Sequence, residues 1–186
     1  MLHGTAGTGK TTLVKALASH FNLDLYFVSL SDLDSDTRLL NMMSNISPRS
    51  IFLLEDIDVV YGMKERDDSG GGVTTAGILN ALDGIGSPSG VISILTTNNL
   101  DTIDTAILRA GRIDSLVELT YLDQDQFDRL CQYLTGSAPG SDMRIEDLKI
   151  APADITGVVK NYMGDQQAQH KALREFIQER KDGRRG

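Results

Sequence analysis

The sequence has little of what cross-links a chain or anchors it in a membrane. Its 186 residues include one cysteine, four prolines and no tryptophan. A single cysteine excludes an internal disulfide and is typical of a reducing compartment, so we expect an intracellular protein. No stretch of about 18 or more consecutive apolar residues occurs, so no transmembrane helix is predicted within this sequence.

Positive charge is also scarce. The chain has 18 Lys and Arg against 26 Asp and Glu, which gives a formal net charge of −8. Nucleic-acid binding needs basic residues clustered on one face, so this balance argues against a nucleic-acid partner. The lone Cys131 falls in a helical stripe of apolar residues, which indicates a buried small side chain rather than a reactive thiol.

Strand-like and helical segments alternate over residues 1–121. The continuous apolar runs at residues 51–54 and 91–95 are typical of strands buried on both faces. The alternation predicts an α/β fold in which a parallel sheet is sandwiched by helices. From residue 122 onward the pattern is helical only. It predicts a small helical subdomain over residues 122–180, followed by a frayed tail at 181–186.

The individual segments follow from the same periodicity. Helices are predicted near residues 10–20, 37–45, 74–83, 123–135, 152–163 and 165–180. Strands are predicted at residues 23–30, 51–54, 91–95 and 116–119, and a helical turn at 104–109. Residues 62–72 combine consecutive charges with several glycines, so we expect a mobile surface loop there.

The segment GTAGTGKT, residues 4–11, has the spacing of a phosphate-binding loop. Its glycines let the backbone curl so that successive N–H groups point at one anion. The lysine would reach the β- and γ-phosphates, and the threonine after it would ligate Mg²⁺. A glycine-rich turn with an incidental lysine is the alternative. The predicted nucleotide-binding residues are Gly4, Thr5, Ala6, Gly7, Thr8, Gly9, Lys10, Thr11 and Thr12.

Polar residues follow two of the apolar strands. Glu55 and Asp56 end the strand at residues 51–54, and Asn98 follows the strand at 91–95. Ligands of parallel α/β sheets bind at the carboxyl ends of the strands, so we expect the acids beside the phosphates. One acid is needed near the metal and one to orient the attacking water. Asn98 is placed to face the γ-phosphate and that water. Solvated acids after a core strand are the alternative.

Arg109 and Arg112 stand three positions apart beside a glycine, which suits an exposed turn. Guanidinium groups supplied correctly accelerate phosphoryl transfer by roughly 10³- to 10⁵-fold. These arginines cannot easily reach the nucleotide of their own chain, so we expect them to act on that of a neighbouring copy. The alternative is two surface arginines that pair with nearby acids, namely Asp101, Asp104 or Asp114.

Together, GTAGTGKT, IFLLEDID, TTN and AILRAGRID resemble the Walker A, Walker B, sensor 1 and arginine-finger motifs of the AAA family of AAA+ ATPases. The resemblance covers about residues 2–120. It implies ATP hydrolysis with ATP and Mg²⁺, and a homo-oligomeric ring, hexameric or heptameric, with arginine fingers acting in trans. The family usually has Asp before Glu in Walker B. By position, Glu55 would be the metal-side acid together with Thr11, and Asp56 would be the water-activating acid. Because the longer glutamate and the shorter aspartate have exchanged places, this division of roles stays open.

A narrower resemblance is to the Bcs-type chaperones, which move a folded iron–sulfur protein across the mitochondrial inner membrane. It rests on LLEDID, TTAGILNALDGIGS, TTNNLDTIDTAILRAGRID and PADITGVVKNYMGD. It implies a protein substrate and a location in the cytoplasm or at the mitochondrial inner membrane. Residues 29–36 are acidic and lack an aromatic residue, unlike the pore loop of threading unfoldases in the AAA family.

Only three residues precede the phosphate loop. We therefore expect the first strand to be largely missing, and membrane contact only through a region N-terminal to this sequence. Two alternatives to a chaperone or protein-remodelling ring follow. One is an N-terminally truncated, inactive nucleotide-binding fragment. The other is a nucleic-acid-dependent AAA+ motor, which the acidic charge and the Bcs-like stretches disfavour.

Overall fold

The computed structural model describes residues 1–59, 72–82, 89–109 and 111–183. They form two compact units: the first comprises Met1–Gly4 and Lys10–Leu119, and the second Thr5–Gly9 and Thr120–Gly186. The phosphate-loop residues 5–9 thus group with the helical unit, which differs from the division expected from the sequence. The mobile loop predicted at residues 62–72 lies outside the described residues, except for Gly72.

The first unit is a parallel sheet with flanking helices, so the predicted α/β fold is confirmed. Within the described residues of this unit, five strands lie in the order β2-β3-β4-β1-β5. The strands are β1 Leu2–His3, β2 Asp24–Ser29, β3 Ser50–Glu55, β4 Val91–Thr97 and β5 Val117–Glu118. The helices are α1 Lys10–Phe21, α2 Asp36–Ser44 and α3 Thr75–Leu82, with 3₁₀ turns at Leu30–Asp32 and Leu100–Thr102.

Strand β3 carries the core of this unit because both of its faces are buried. Successive strand side chains point to opposite faces. Phe52 and Leu54 pack in one cluster with buried residues of α2 and α3, whereas Ile51 and Leu53 pack in another with buried residues of α1. This two-sided burial explains why the strand reads as a continuous apolar run in the sequence.

Strand β1 is short and lies between β4 and the edge strand β5. Leu2 pairs with Thr96 of β4 on one side and with Val117 of β5 on the other. The N–H groups of Val117 and Leu119 donate to the carbonyls of Met1 and His3 at 2.9 and 2.8 Å. The two residues of β1 therefore place the start of the phosphate loop directly beside the end of β4.

The second unit contains three helices: α4 Gln124–Thr135, α5 Pro152–Lys160 and α6 Gln166–Lys181. Phe127, Cys131, Ile155 and Leu173 are fully buried in its core. Burial raises the pKa of the Cys131 thiol to about 12, with a smaller contribution from Asp128. The prediction that Cys131 is buried is therefore confirmed, and a raised pKa disfavours the reactive thiolate form. No helix in the described part of the chain is long and apolar enough to cross a membrane.

Candidate active site

The carboxyl ends of β1, β3 and β4 bring most of the predicted site residues of the first unit together. β4 lies between β1 and β3, so the segments that follow these strands are neighbours. We call the resulting group the strand-end cluster. It consists of Lys10 and Thr11 at the start of α1, Glu55, Asp56 and Asp58 at the end of β3, and Thr96, Thr97 and Asn98 at the end of β4.

Lys10 is the cation of this cluster. Its Nζ donates hydrogen bonds to the carbonyl of Gly4 at 2.7 Å and to Oδ1 of Asn98 at 2.8 Å. The residue is only 7% exposed. Burial lowers the pKa of the ammonium group, and the nearby carboxylates, Asp56 first, oppose that shift. The lysine is thus held by the loop on one side and by the end of β4 on the other.

Asn98 connects the cation to one of the acids. While its Oδ1 accepts from Lys10, its Nδ2 donates to Oδ1 of Asp56 at 3.1 Å. A side-chain amide suits this position because it has both an acceptor and two donors. The order ammonium, amide, carboxylate therefore links residues that lie far apart in the sequence.

Thr11 and Glu55 supply oxygen atoms to the same cluster. The Thr11 hydroxyl donates to Oε1 of Glu55. Hydroxyl and carboxylate oxygens are suitable ligands for Mg²⁺, which proteins commonly hold by one or two side chains together with substrate phosphates. Within the described residues, no group of three or more His, Cys, Asp or Glu side chains could hold a metal ion. The Thr11–Glu55 pair fits a magnesium ion bound jointly with nucleotide phosphates.

Asp56 has a strained backbone. Its φ is +50°, in the left-handed region, which costs a non-glycine residue about 1 kcal/mol. Thr96 holds this conformation: its Oγ1 accepts from the N–H of Asp56 at 3.1 Å, and its carbonyl accepts from the N–H of Ile57 at 3.0 Å. Strain of this kind persists where the surrounding structure fixes it and is often found at functional sites.

The pKa of Asp56 is raised. Burial of the carboxyl group is the main cause, and the carboxylates of Asp58 and Glu55 add to it. Lys10 and the hydrogen bond from Asn98 oppose the shift without cancelling it. A carboxyl with raised pKa beside a cation is a suitable acceptor for a proton at near-neutral pH.

The phosphate loop itself requires glycine at its start. Gly4 has φ +124°, and a Cβ there would overlap the carbonyl oxygen of Leu119. Within the second unit, the Gly7 carbonyl accepts from the N–H of Ala153 at 3.1 Å. The Thr8 hydroxyl donates to the Thr5 carbonyl at 2.8 Å. These contacts fix the course of the loop, and the contact with Ala153 was not anticipated from the sequence.

The two arginines differ in their surroundings. Buried Ile103 and Ile107 anchor the turn that carries them. Arg109 is exposed, and within the described residues it forms no ion pair with any acid. Arg112 is half-buried, and its Nη1 donates to the Ala106 carbonyl at 2.8 Å. Arg109 is therefore the arginine that faces solvent, whereas Arg112 holds the turn.

The sequence reasoning anticipated five members of the strand-end cluster and assigned no role to three others. It named Lys10, Thr11, Glu55, Asp56 and Asn98, and their individual roles stay predictions. It did not anticipate the contacts of Asp58, Thr96 and Thr97. The signals were a third acid two positions after Asp56 and two threonines directly before Asn98, but only the parallel pairing of β3 and β4 shows which of them touch.

A protein-family model covers the whole of the strand-end cluster. Residues 1–121 match the family model described as "ATPase family associated with various cellular activities (AAA)". The chain belongs to this family of AAA ATPases. The match covers the sheet, the phosphate loop and both arginines, whereas the stretch PADITGVVKNYMGD lies beyond it.

Several curated relatives of this AAA ATPase cover most of the chain. "Probable mitochondrial chaperone BCS1-A" of Dictyostelium discoideum is 32% identical over 190 residues, covering 94% of this chain and 44% of that protein. An AAA-ATPase of Arabidopsis thaliana is 35% identical over 180 residues, with coverages of 83% and 38%. "Probable mitochondrial chaperone bcs1" of Schizosaccharomyces pombe is 34% identical over 143 residues, with coverages of 75% and 32%. The chain thus spans less than half the length of these relatives.

Proposed function

We propose that this AAA ATPase binds ATP with Mg²⁺ and hydrolyses it to drive a ring-shaped chaperone or protein-remodelling machine. The observation that carries the proposal is the hydrogen-bonded series Lys10, Asn98, Asp56 at the end of the sheet. It joins a cation, an amide and a carboxyl of raised pKa, and the cation also donates to the carbonyl of Gly4, where the phosphate loop begins. Phosphoryl transfer depends on such positioned charges more than on covalent chemistry.

Each residue of the site has a part in this reaction. Residues 4–12 would hold the nucleotide phosphates, with Lys10 supplying positive charge. Thr11 and Glu55 would hold Mg²⁺, which when bound neutralises charge on the phosphates. Asp56 would orient the attacking water and accept its proton. Asn98 would keep that carboxyl in place, because its amide hydrogen-bonds to both Asp56 and Lys10.

Replacing Lys10 is the direct test of nucleotide binding. We expect Lys10→Ala to abolish ATP binding measured by calorimetry, because the charged donor to the phosphates is lost. Lys15→Ala is the matched control, since Lys15 is an exposed lysine on the same helix. Unchanged binding by Lys10→Ala would contradict the proposal. Binding without turnover in the unaltered chain would support the inactive fragment instead.

The ring is proposed because Arg109 faces solvent and has no ion pair within the described residues. In a homo-oligomer of six or seven copies it would reach the γ-phosphate bound by the next subunit. Arg112 would act indirectly, by holding the turn through the Ala106 carbonyl. Removing a correctly placed arginine finger lowers the hydrolysis rate by roughly 10³-fold or more.

Mixed rings test whether Arg109 acts in trans. We expect Arg109→Ala to bind ATP normally and to lose turnover, and Asp56→Asn to do the same. Rings assembled from both variants should regain part of the ATPase rate, because an Arg109→Ala subunit keeps an intact site that its Asp56→Asn neighbour completes. Co-assembled rings without any recovered ATPase activity would contradict action in trans.

We further propose that the substrate is a protein. The support is the similarity to two proteins named as mitochondrial chaperones, together with the net charge of −8. The AAA ATPase itself would lie within the cell, in the cytoplasm or at the mitochondrial inner membrane. Stimulation of the ATPase rate by a folded protein is the expected result. Stimulation by DNA would instead support a nucleic-acid motor.

A further inference from the structure

Asp58 is the third acid after β3, and its half-buried carboxyl contacts the end of β4. Its Oδ1 accepts a hydrogen bond from the hydroxyl of Thr97 at 3.0 Å. The same oxygen accepts from the backbone N–H of Asn98 at 3.3 Å. One carboxylate oxygen therefore holds two consecutive residues where the chain leaves β4.

Thr97 is a firm anchor for this contact because its side chain is fully buried. Its hydroxyl also lies 3.1 Å from the Asn99 carbonyl and accepts from the Asn99 N–H at 3.1 Å. The hydroxyl has a single proton, for which the Asp58 carboxylate and the Asn99 carbonyl compete, and the charged acceptor makes the stronger bond; the Asn98 N–H has its acceptor on Asp58 alone among the bonds above. Removing the Asp58 carboxylate would thus loosen the segment on either side of Asn98.

Asn98 needs such support because the residue itself is exposed. Its amide must meet both Lys10 and Asp56, and its position depends on the backbone that carries it. We propose that Asp58 is a positioning residue for Asn98: it fixes the end of β4 so that the Asn98 amide bridges Lys10 and Asp56 during ATP hydrolysis. The inference rests on the proposed function and adds a residue to the site.

The support is reciprocal between the two strand ends. Thr96 of β4 holds the backbone of Asp56 after β3, while Asp58 after β3 holds the backbone of Asn98 after β4. Asp56 and Asn98 hydrogen-bond to each other through their side chains, and the backbone of each is held by a residue from the other strand end. A displacement of about 1 Å in such a constellation can lower the rate by about 10²-fold.

Two substitutions of Asp58 separate hydrogen bonding from charge. In the full chain we expect Asp58→Ala to lower kcat for ATP by about 10²-fold while KM stays within about threefold of the unaltered value, because positioning rather than binding is lost. Asp58→Asn keeps an acceptor oxygen at the same place. Since neutral hydrogen bonds have about half the strength of charge-assisted ones, we expect its kcat to recover to within about fivefold.

Thr97 provides a second and independent pair of variants. Thr97→Val removes the hydroxyl with little change in volume, and Thr97→Ser keeps it. We expect Thr97→Val to lower kcat and Thr97→Ser to leave it near the unaltered value. The double variant Asp58→Ala, Thr97→Val should be no slower than Asp58→Ala alone, because residues that share one interaction are not additive. Circular dichroism and thermal unfolding check that each variant is folded.

Three results would overturn the inference. An unchanged kcat in Asp58→Ala would remove the positioning function. Equal losses in Asp58→Asn and Asp58→Ala would mean that Asp58 acts through its charge. A higher KM with an unchanged kcat in Asp58→Ala would assign Asp58 to nucleotide binding. Failure of the proposed function is a separate outcome, since it would show as absent turnover in the unaltered chain or as unchanged binding in Lys10→Ala.

Discussion

Two clusters of polar side chains, one in each unit, differ in almost every physical property. The strand-end cluster of the first unit contains the charged groups of Lys10, Glu55, Asp56 and Asp58. The second unit has a group at the end of α4 and the start of α6, which we call the helix-end cluster. It consists of Thr135, Ser137, Gln166 and His170.

The helix-end cluster looks reactive at first sight, because a serine lies beside a histidine. Ser137 Oγ is 3.3 Å from Nε2 of His170, and Thr135 Oγ1 is 3.0 Å from the same nitrogen. However, the Thr135 hydroxyl lies 2.9 Å from the Cys131 carbonyl, and Gln166 Nε2 donates to the Thr135 carbonyl at 2.7 Å. The bond from Gln166 satisfies the Thr135 carbonyl, one of the last four carbonyls that a helix leaves without a partner inside the helix, and the Thr135 hydroxyl bonds back to its own helix. The helix-end cluster is therefore a cap.

The strand-end cluster is built in the opposite way. It places three carboxylates around one ammonium group, bends Asp56 to φ +50° and raises the pKa of that residue. The left-handed backbone and the raised pKa of Asp56 both cost stability at neutral pH, and each is useful for binding phosphates or moving a proton. Polar contacts alone therefore do not distinguish the two clusters; the combination of a strained backbone and a raised carboxyl pKa at the end of the sheet does.

Asp56→Asn should break the strand-end cluster with the largest effect. We expect turnover to fall by about 10²- to 10⁴-fold, because the proton acceptor is lost. The free energy of unfolding should increase. Asparagine tolerates the left-handed backbone well and keeps an oxygen for the hydrogen bond from Asn98. ATPase rates and thermal unfolding in nucleotide-free buffer with a chelator measure the two effects.

The pH dependence of Asp56→Asn follows from the direction of the pKa shift. Because folding raises the pKa of Asp56, the folded state is favoured below the unfolded pKa, about 3.9, and loses stability as pH rises through the folded pKa. Asparagine does not ionise. The variant should therefore unfold at a higher temperature than the unaltered chain at pH 7, and this difference should decrease as the pH falls and vanish below the unfolded pKa of about 3.9. Asp24→Asn, at an exposed position, is the control; a variant less stable at pH 7 would contradict the reasoning.

The sequence predicted the fold well because the fold depends on local patterns. The apolar run at residues 51–54 and the helical stripe through Cys131 reflect burial on both faces of β3 and on one face of α4. Both patterns can be read within a few residues, since strand and helix repeat over short distances. The order of the motifs along the chain then indicated the family.

The finer geometry of the site could not be predicted because it depends on distant contacts. The left-handed backbone of Asp56 rests on Thr96, 40 positions away in the sequence. Arg112 differs from the solvent-facing Arg109 because its guanidinium group donates to the carbonyl of Ala106, six residues earlier. Residue type and spacing therefore identify the members of the site, whereas their partners follow only from the pairing of strands.

Gln166→Ala should disrupt the helix-end cluster and lower stability without lowering turnover, which is the opposite of the result expected for Asp56→Asn. Its Nε2 donates to the Thr135 carbonyl at 2.7 Å and to Ser137 Oγ at 3.0 Å, so we expect a loss of about 1 kcal/mol in the free energy of unfolding. In a chain of this size that corresponds to a decrease of about 2–4 °C in Tm. Gln167→Ala, at the next and equally exposed position, is the control. The ATPase rate per folded molecule should stay unchanged, because the lost bonds cap α4 and touch no charged group of the strand-end cluster. A loss of turnover without a loss of stability would mean that the helix-end cluster takes part in the reaction.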